Sequence, residues 1–319
     1  MVNWMDRASV VVTSLALDRL LGELPTVAHP VALYGSLMGF VEEVLWSDTV
    51  GGGFRYLGVG LVAPVALGAL ARKKTLQVAL THLAVARRSL IAHGLDVKAA
   101  LDNGDLVEAR LKLAKIVGRD TKSLSESDIS RATIESLAEN FNDAVGASII
   151  YANFVGPTAV AIHRCVNTLD ALVGRRSQTY LKFGAPAARL DDLLGYIPAR
   201  ICAFSIALCA DYQPLKVFLR SWMEARPHPS PNAGLMEAAM ANVLGIELGG
   251  SVDYGSEHSV RPIFGPDVAP TPFDIQRAVT ILDQALVRLV LGMVTFDFVL
   301  AILQALQSKS NVKRQVARQ

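Results

Sequence analysis

The sequence predicts an all-α protein, an integral membrane helical bundle with a cytoplasmic helical insertion. Three observations predict it. Of 319 residues, 51% are hydrophobic and only 19% are charged, against about 25% charged in a typical soluble domain. The apolar residues gather near 8–21, 54–70, 145–163, 196–210 and 284–305. No segment shows the sustained alternation of a strand, whereas Leu76 to Leu90 and Leu106 to Val117 repeat at helical spacing. We read residues 1–319 as one domain without internal repeats.

Taken in order, the first apolar stretch contains Asp18 and Arg19, and the fourth contains Arg200. Both fall short of the roughly 20 residues that a spanning helix needs, so they read as tilted, re-entrant or packed inside the bundle. Ala285 to Leu306, interrupted only by Arg288 and Asp297, is the strongest span. Residues 71–143 open with Arg72-Lys73-Lys74 and carry near-balanced charge. Lys and Arg flank spans on the inner side, which makes this segment the cytoplasmic insertion. The basic tail 309–319 is inside by the same rule. Segment 164–195 is also basic. It shares that compartment if 145–163 dips into a polar cavity instead of crossing, and this is the arrangement we expect. Residues 211–283 read as loop-rich, with Gly, Pro and Ser concentrated in 250–273.

A net charge of +2 argues against a nucleic-acid partner. Cys165, Cys202 and Cys209 are spaced for neither a disulfide framework nor a zinc site and read as small buried hydrophobes. No small-residue cleavage site follows the first apolar stretch, so no signal peptide is expected. P-loop, nucleophile-elbow and His-Glu-x-x-His patterns are absent.

Four constellations carry chemistry. Ser125 and Asp128 have capping-box spacing and start a helix on which Arg131, Glu135, Glu139 and Asp143 recur every four residues. Alone, such a stripe is most often a solvated face with i,i+4 pairs worth ~0.2–0.5 kcal/mol each. Running into an apolar segment, it needs polar company. Gly118-Arg119-Asp120-Thr121 precedes it. In the second constellation His163, Asn167 and Asp170 share one helical face, and Asn and Asp oxygens there suit Mg²⁺; a water-facing helix side reads the same way. In the third, Arg189, Asp191, Asp192 and Arg200 bracket the edge of an apolar run. They offer forks for phosphate and carboxylates for a metal, or else salt bridges that anchor a helix end. The fourth, His228-Pro229-Ser230-Pro231-Asn232, leads into an Ala-rich helix that Asn232 is expected to cap. A helix N-terminus favours anions; a plain turn is the alternative.

In this order the blocks resemble the CobD/CbiB family of cobalamin-biosynthesis proteins, the adenosylcobinamide-phosphate synthases. The resemblance runs through most of the chain. It begins with Asp18-Arg19-Leu20-Leu21-Gly22 and His29-Pro30-Val31, and continues through Gly118-Arg119-Asp120-Thr121 and the Glu135-to-Asp143 stretch. Asn167-Thr168-Leu169-Asp170, Ala188-Arg189-Leu190-Asp191-Asp192 and Tyr196-Ile197-Pro198-Ala199-Arg200 follow. The last block is His228-Pro229-Ser230-Pro231-Asn232-Ala233-Gly234 with Glu237-Ala238-Ala239-Met240. Three departures stand out: Gly22-Glu23-Leu24-Pro25 replaces the family's Gly-Asp-Pro, Leu235-Met236 replaces its Trp-Pro, and Asn140-Phe141-Asn142-Asp143 stands where Asn-Thr/Ser-Ser/Asp-Gly-like residues are common. They bear on substrate preference more than on reaction class.

The resemblance implies a multi-pass protein of the cell membrane, in contact with lipid. It would be a ligase joining a corrinoid, adenosylcobyric acid, to (R)-1-amino-2-propanol or its O-phosphate, with ATP and Mg²⁺. Under it Glu135, Glu139 and His228 are catalytic. Arg119, Asn140, Asn167, Arg189, Arg200 and Asn232 hold substrate or phosphate, and Asp143, Asp170, Asp191 and Asp192 ligate the metal. Both forms of aminopropanol are compatible with it, as are a monomer and a homo-oligomer. Two other readings fit parts of the pattern: a non-enzymatic AmpE-like inner-membrane regulator, and a membrane prenyltransferase with acidic clusters for Mg²⁺-diphosphate.

Overall fold

Helix boundaries follow local chemistry. The computed structural model describes residues 4–175, 177–253 and 258–316, and its regular structure is helical apart from one hairpin. α1 (Trp4–Leu21) precedes α2 (Pro30–Leu45), where His29 Nδ1 accepts the Val31 N–H at 3.2 Å and Pro30 fills the first helical position. Thr49 Oγ1 accepts the Gly52 N–H at 3.0 Å and caps α3 (Val50–Leu70). Residues 71–143 form α4 (Lys74–Ala84), α5 (Arg87–Asp102), α6 (Leu106–Leu113) and α7 (Glu126–Phe141). The capping box at Ser125 forms: its Oγ accepts the Asp128 N–H at 3.2 Å, and the Asp128 carboxylate accepts the Ser125 N–H at 3.2 Å.

The periodic run from Leu76 to Leu90 is not one helix. It breaks at Val85–Ala86, where the Ala86 N–H donates to the Ala144 carbonyl at 2.9 Å and Ser148 Oγ donates to the Ala84 carbonyl at 3.3 Å. Ala144 lies in a π turn, Asn142–Gly146, that joins α7 to α8 (Ala147–Phe154). A widened turn presents carbonyls to outside donors. Residues 145–163 are divided as well. Gly156 takes φ 119° and α9 (Pro157–Val173) folds back, bringing the Tyr151 and His163 rings to 5.4 Å. Eight residues make α8 about 12 Å long, far short of a hydrocarbon core of ~30 Å, so α8 by itself does not cross.

α10 (Ala185–Ala207), α11 (Pro214–Glu224) and α12 (Ala233–Leu244) lead to an antiparallel hairpin and then α13 (Pro272–Val316). β1 (Leu248–Asp253) pairs with β2 (His258–Phe264) from Leu248↔Phe264 onward. This corrects the loop-rich reading of 211–283. A register shift between Gly249 and Gly250 breaks the period-2 pattern, and Gly249, Gly250 and Pro262 dilute the strand signal.

Among the described residues two helices are long and apolar enough to cross a membrane, Val50–Leu70 and Pro272–Gln304. The larger core joins α5, α7, α8, α10, α12 and the first half of α13 around Leu137, Phe141, Ile149, Met240 and Leu282. A smaller one joins α2, α3, α9 and the start of α10 around Met38, Tyr56, Leu169 and Phe183. All three cysteines are free, with only Cys202 fully buried. Where α3 meets α9, a Cβ on Gly68 would collide with the Thr158 backbone. Gly68→Val is expected to cost about 1–3 kcal/mol, read as a lower melting temperature in detergent. Gly51→Ala, which points into open space, is the neutral control.

Candidate functional site

The acidic stripe of α7 divides along its length. Arg131 pairs with Asp128 in the first turn at 2.6 Å. Glu135, 1% exposed, pairs with Arg119 at 2.5 Å and accepts the Gly249 N–H from the hairpin at 2.8 Å. Only Glu139 and Asp143 continue toward the polar centre, with Asp143 inside the π turn, a feature frequent at functional sites.

The centre is built from α7, α9 and α10. Asn142 and Asn167 donate to the two oxygens of Asp143 at 2.7 and 3.2 Å. Asn167 Oδ1 accepts from Arg164 Nη1 at 3.2 Å, and the Asn167 side chain also hydrogen-bonds Asp191. Asp170, one turn further along α9, feels the charges of Asp192 and Glu139, and Asp191 feels those of Asp143 and Asp170. His163 is not part of this space; it is buried against Tyr151.

Burial, reinforced by the Asp143 charge, pushes the Glu139 carboxyl up to about 7. Burial, then Asp192 and Glu139, pushes Asp170 up to about 6. Asp143 and Asp191 are also raised, by burial first; the Asn142 hydrogen bond and Arg164 oppose the rise at Asp143. Carboxylates that hinder one another's ionisation are relieved by a cation. Among the described residues no three acid, His or Cys side chains converge into a ready-made metal cage. Dispersed carboxylates with amides between them fit instead an Mg²⁺ ion that takes one or two protein carboxylates and completes its shell with water and phosphate oxygens.

The turn before α12 closes the site, and it corrects the expected cap. The Asn232 side chain makes no cap bond. Ser230 Oγ takes that place, accepting the Ala233 and Asn232 N–H groups at 3.3 and 3.4 Å while it donates to Asp192 Oδ1 at 3.2 Å. Asn232 instead donates to the Asp192 carbonyl at 2.8 Å and accepts from Arg200 Nη1 at 2.8 Å. Gly195 makes room for it, since a Cβ there would stand 2.7 Å from Asn232 Nδ2. His228 Nδ1 is 2.8 Å from the Ser230 carbonyl oxygen, and Nε2 faces Glu237 Oε2 at 3.8 Å. Glu237 is wholly buried and also meets Arg261 at 3.2 Å. Burial, then the Glu135 charge, raises its carboxyl well above the usual range.

The matching family model, described as CobD/CbiB protein, covers residues 11–282, a span that contains every group named above. The chain belongs to the CobD/CbiB family. It is 40% identical over 297 residues to a cobalamin biosynthesis protein CobD of Chromobacterium violaceum, covering 88% of this chain and 94% of that one. A protein of the same name from Stutzerimonas stutzeri is 39% identical, covering 85% and 92%. One from Mycobacterium tuberculosis is 36% identical, covering 88% and 92%. No solved structure matches.

Several sequence-derived assignments shift in this CobD/CbiB chain. Glu135 is poorly placed as a general base because both its oxygens are engaged, and Arg119 spends its charge on Glu135. Asn140 turns back onto the Ser136 carbonyl at 2.9 Å. Arg189 is exposed and makes no ion pair among the described residues. Glu139, Asp143, Asn167, Asp170, Asp191, Asp192 and Asn232 do come together, with Arg200 and His228 at the edge. Sequence reasoning missed Asn142, Arg164, Ser230, Glu237 and Arg261. Arg164 stands three residues before Asn167 and Ser230 two before Asn232, so helix and turn spacing pointed to both. Nothing near Arg261 marked it, because its strand was not legible.

Proposed function

We propose that this CobD/CbiB protein acts in cobalamin biosynthesis as a membrane acid–amine ligase. It would join a propionate carboxylate of adenosylcobyric acid to the amine of (R)-1-amino-2-propanol or its O-phosphate, using ATP. The observation that carries the reading is the meeting of Glu139, Asp143, Asp170 and Asp191 with amide side chains from three elements, in a chain so similar to proteins named for cobalamin biosynthesis. We read α3 and the 284–305 part of α13 as spans in the cell membrane, with 71–143 on the cytoplasmic side.

A carboxylate is a poor electrophile. Its oxygen attacks the γ-phosphorus of ATP and ADP leaves; the amine then attacks the acyl carbon, and phosphate departs with that oxygen. The amine must lose a proton, and Glu139, titrating near neutrality, is the group suited to take it. Asn167 and Asn232 orient substrate amides, with Arg200 holding the Asn232 side chain in place. One or two of Asp143, Asp170, Asp191 and Asp192 would hold Mg²⁺, which when bound supplies charge neutralisation at the phosphates. The direct test is conversion of adenosylcobyric acid by membranes of expressing cells, dependent on both ATP and the amine. Turnover of a prenyl diphosphate with no corrinoid conversion would favour the prenyltransferase reading instead.

The metal assignment has a readout apart from activity. Glu139 and Asp170 bind protons more tightly folded than unfolded, their values rising from 4.5 and 3.8 to about 7 and 6. Without divalent cation the stability they contribute is therefore full at low pH and is lost as pH rises through the folded values. The melting temperature is expected to fall from pH 5 to pH 8, and Mg²⁺ is expected to restore it at pH 8. A melting curve at pH 8 indifferent to Mg²⁺ would remove the metal from the site.

A further inference from the structure

α11 has three faces. Phe218 and Ser221 turn inward: Phe218 meets Phe204 edge-on at 5.5 Å, and Asn242 donates to Ser221 Oγ at 3.1 Å. Leu215, Leu219 and Met223, four residues apart, are 59%, 49% and 60% exposed. Lys216 and Arg220 lie beside them, both exposed, with Arg220 also paired to Glu224 at 2.7 Å. An apolar outer stripe with a basic edge is the pattern of a helix lying in the plane of a bilayer surface. The exposed apolar surface continues through Tyr212, Leu208 and Phe204. There the chain after α10 touches α13, with Cys209 Sγ 3.7 Å from the Ile281 carbonyl oxygen. Beyond that contact α13 exposes Val287 and Leu291 within its membrane-length apolar stretch.

At the end of α11 lies a cavity of about 220 Å³, lined by Tyr196, Arg200, Trp222, Arg226, Pro231 and Leu235. The Arg200 guanidinium stacks 3.4 Å over the Tyr196 ring and 5.5 Å from that of Trp222. Its Nη1 serves Asn232 and the Tyr196 carbonyl, while its Nε is buried with no hydrogen-bond partner. Asp192 acts on Arg200 through space, and no carboxylate reaches ion-pair distance of Arg200 or Arg226 among the described residues. The volume is below the roughly 300 Å³ at which small-molecule pockets begin. It is too small to enclose a corrinoid and has room for a phosphate.

We propose that α11 is an in-plane membrane anchor and that the Arg200–Arg226 cavity takes the phosphate of an anionic phospholipid head group. The inference rests on the membrane placement read above. Arginine forks match phosphate geometry, and Trp and Tyr settle at the head-group level. Continuity with the exposed face of α13 and the basic edge of α11 select lipid over a soluble phosphate.

The test uses the full chain with Trp4→Phe and Trp46→Phe, which leaves Trp222 as the one tryptophan. It is reconstituted in phosphatidylcholine–phosphatidylglycerol vesicles whose acyl chains are brominated near the glycerol. Trp222 emission is expected to lose about half its intensity, as for a group at the head-group boundary. Phosphatidylglycerol is expected to raise the melting temperature, and Arg226→Gln to move the half-maximal phosphatidylglycerol fraction about five-fold higher, the change in affinity that ~1 kcal/mol for one basic group at an anionic surface gives. Unquenched Trp222 overturns the anchor. An Arg226-dependent response of Trp222 to inorganic phosphate in lipid-free detergent overturns the lipid assignment in favour of a soluble ligand. Dissociation of an oligomer by Leu219→Asp with quenching unchanged assigns the face to a second copy and overturns the anchor. Failure of the ligase reading shows separately, as absent corrinoid conversion by the parent protein whatever its quenching.

Discussion

Asp191→Asn is expected to lower corrinoid conversion by about 10²–10³-fold, the scale on which losing one preorganised electrostatic group acts. The same change is expected to raise the melting temperature of the cation-free protein at pH 8 by about 2–4 °C, the response to ~1 kcal/mol in a chain of this order of size. Both signs follow from one arrangement. Burial, then Asp143 and Asp170, raises the Asp191 carboxyl, so ionising it works against the fold, and a neutral amide of the same shape removes that strain. Asp170→Asn is expected to behave likewise, being raised by burial, Asp192 and Glu139. Full activity in either variant would take that residue out of the site. A fall in melting temperature would mean that the carboxylate supports the fold.

Arg119→Met is expected to destabilise the protein by about 3–5 kcal/mol, the cost of leaving one partner of a buried ion pair uncompensated. Glu135 would keep only the Gly249 N–H at a position 1% exposed. The double variant Arg119→Met/Glu135→Met is expected to recover most of the loss, since a buried pair replaced by apolar groups of similar volume is often near neutral. Denaturant unfolding in detergent reads both. Conversion separates the two roles of the pair: the double variant stays active if the pair is an anchor between α7 and the hairpin, and becomes inactive if Arg119 holds phosphate.

Much of this was legible because it is local. Ser125 and Asp128 signal their cap within four residues, and Asn167, Asp170, Asp191 and Asp192 sit at spacings that helices translate into shared faces. What escaped depends on contacts distant in sequence. The Val85–Ala86 break is set by the Ala144 carbonyl, nearly sixty residues on. Glu135 reads like Glu139 in the stripe, and only Arg119 and the hairpin separate their environments. The hairpin was hidden by the Gly249–Gly250 register shift, and Arg261 with it. Asn232 looked like a cap by residue type, yet Ser230, held against Asp192, occupies that position. The ligand and partner expectations came from the family's motifs and stand as proposals.

In the proposed reaction this site activates a carboxylate with a phosphoryl group and then joins it to an amine. The most direct measurement supplies adenosylcobyric acid labelled with oxygen-18 in the reacting propionate carboxylate, together with ATP, Mg²⁺, the aminopropanol substrate and membranes from expressing cells. One labelled oxygen is expected in the released phosphate for each amide formed, with both products falling together by about 10²–10³-fold in Asp191→Asn membranes. Amide formed with unlabelled phosphate, or no amide while a prenyl diphosphate is consumed in an Asp191-dependent way, would contradict it.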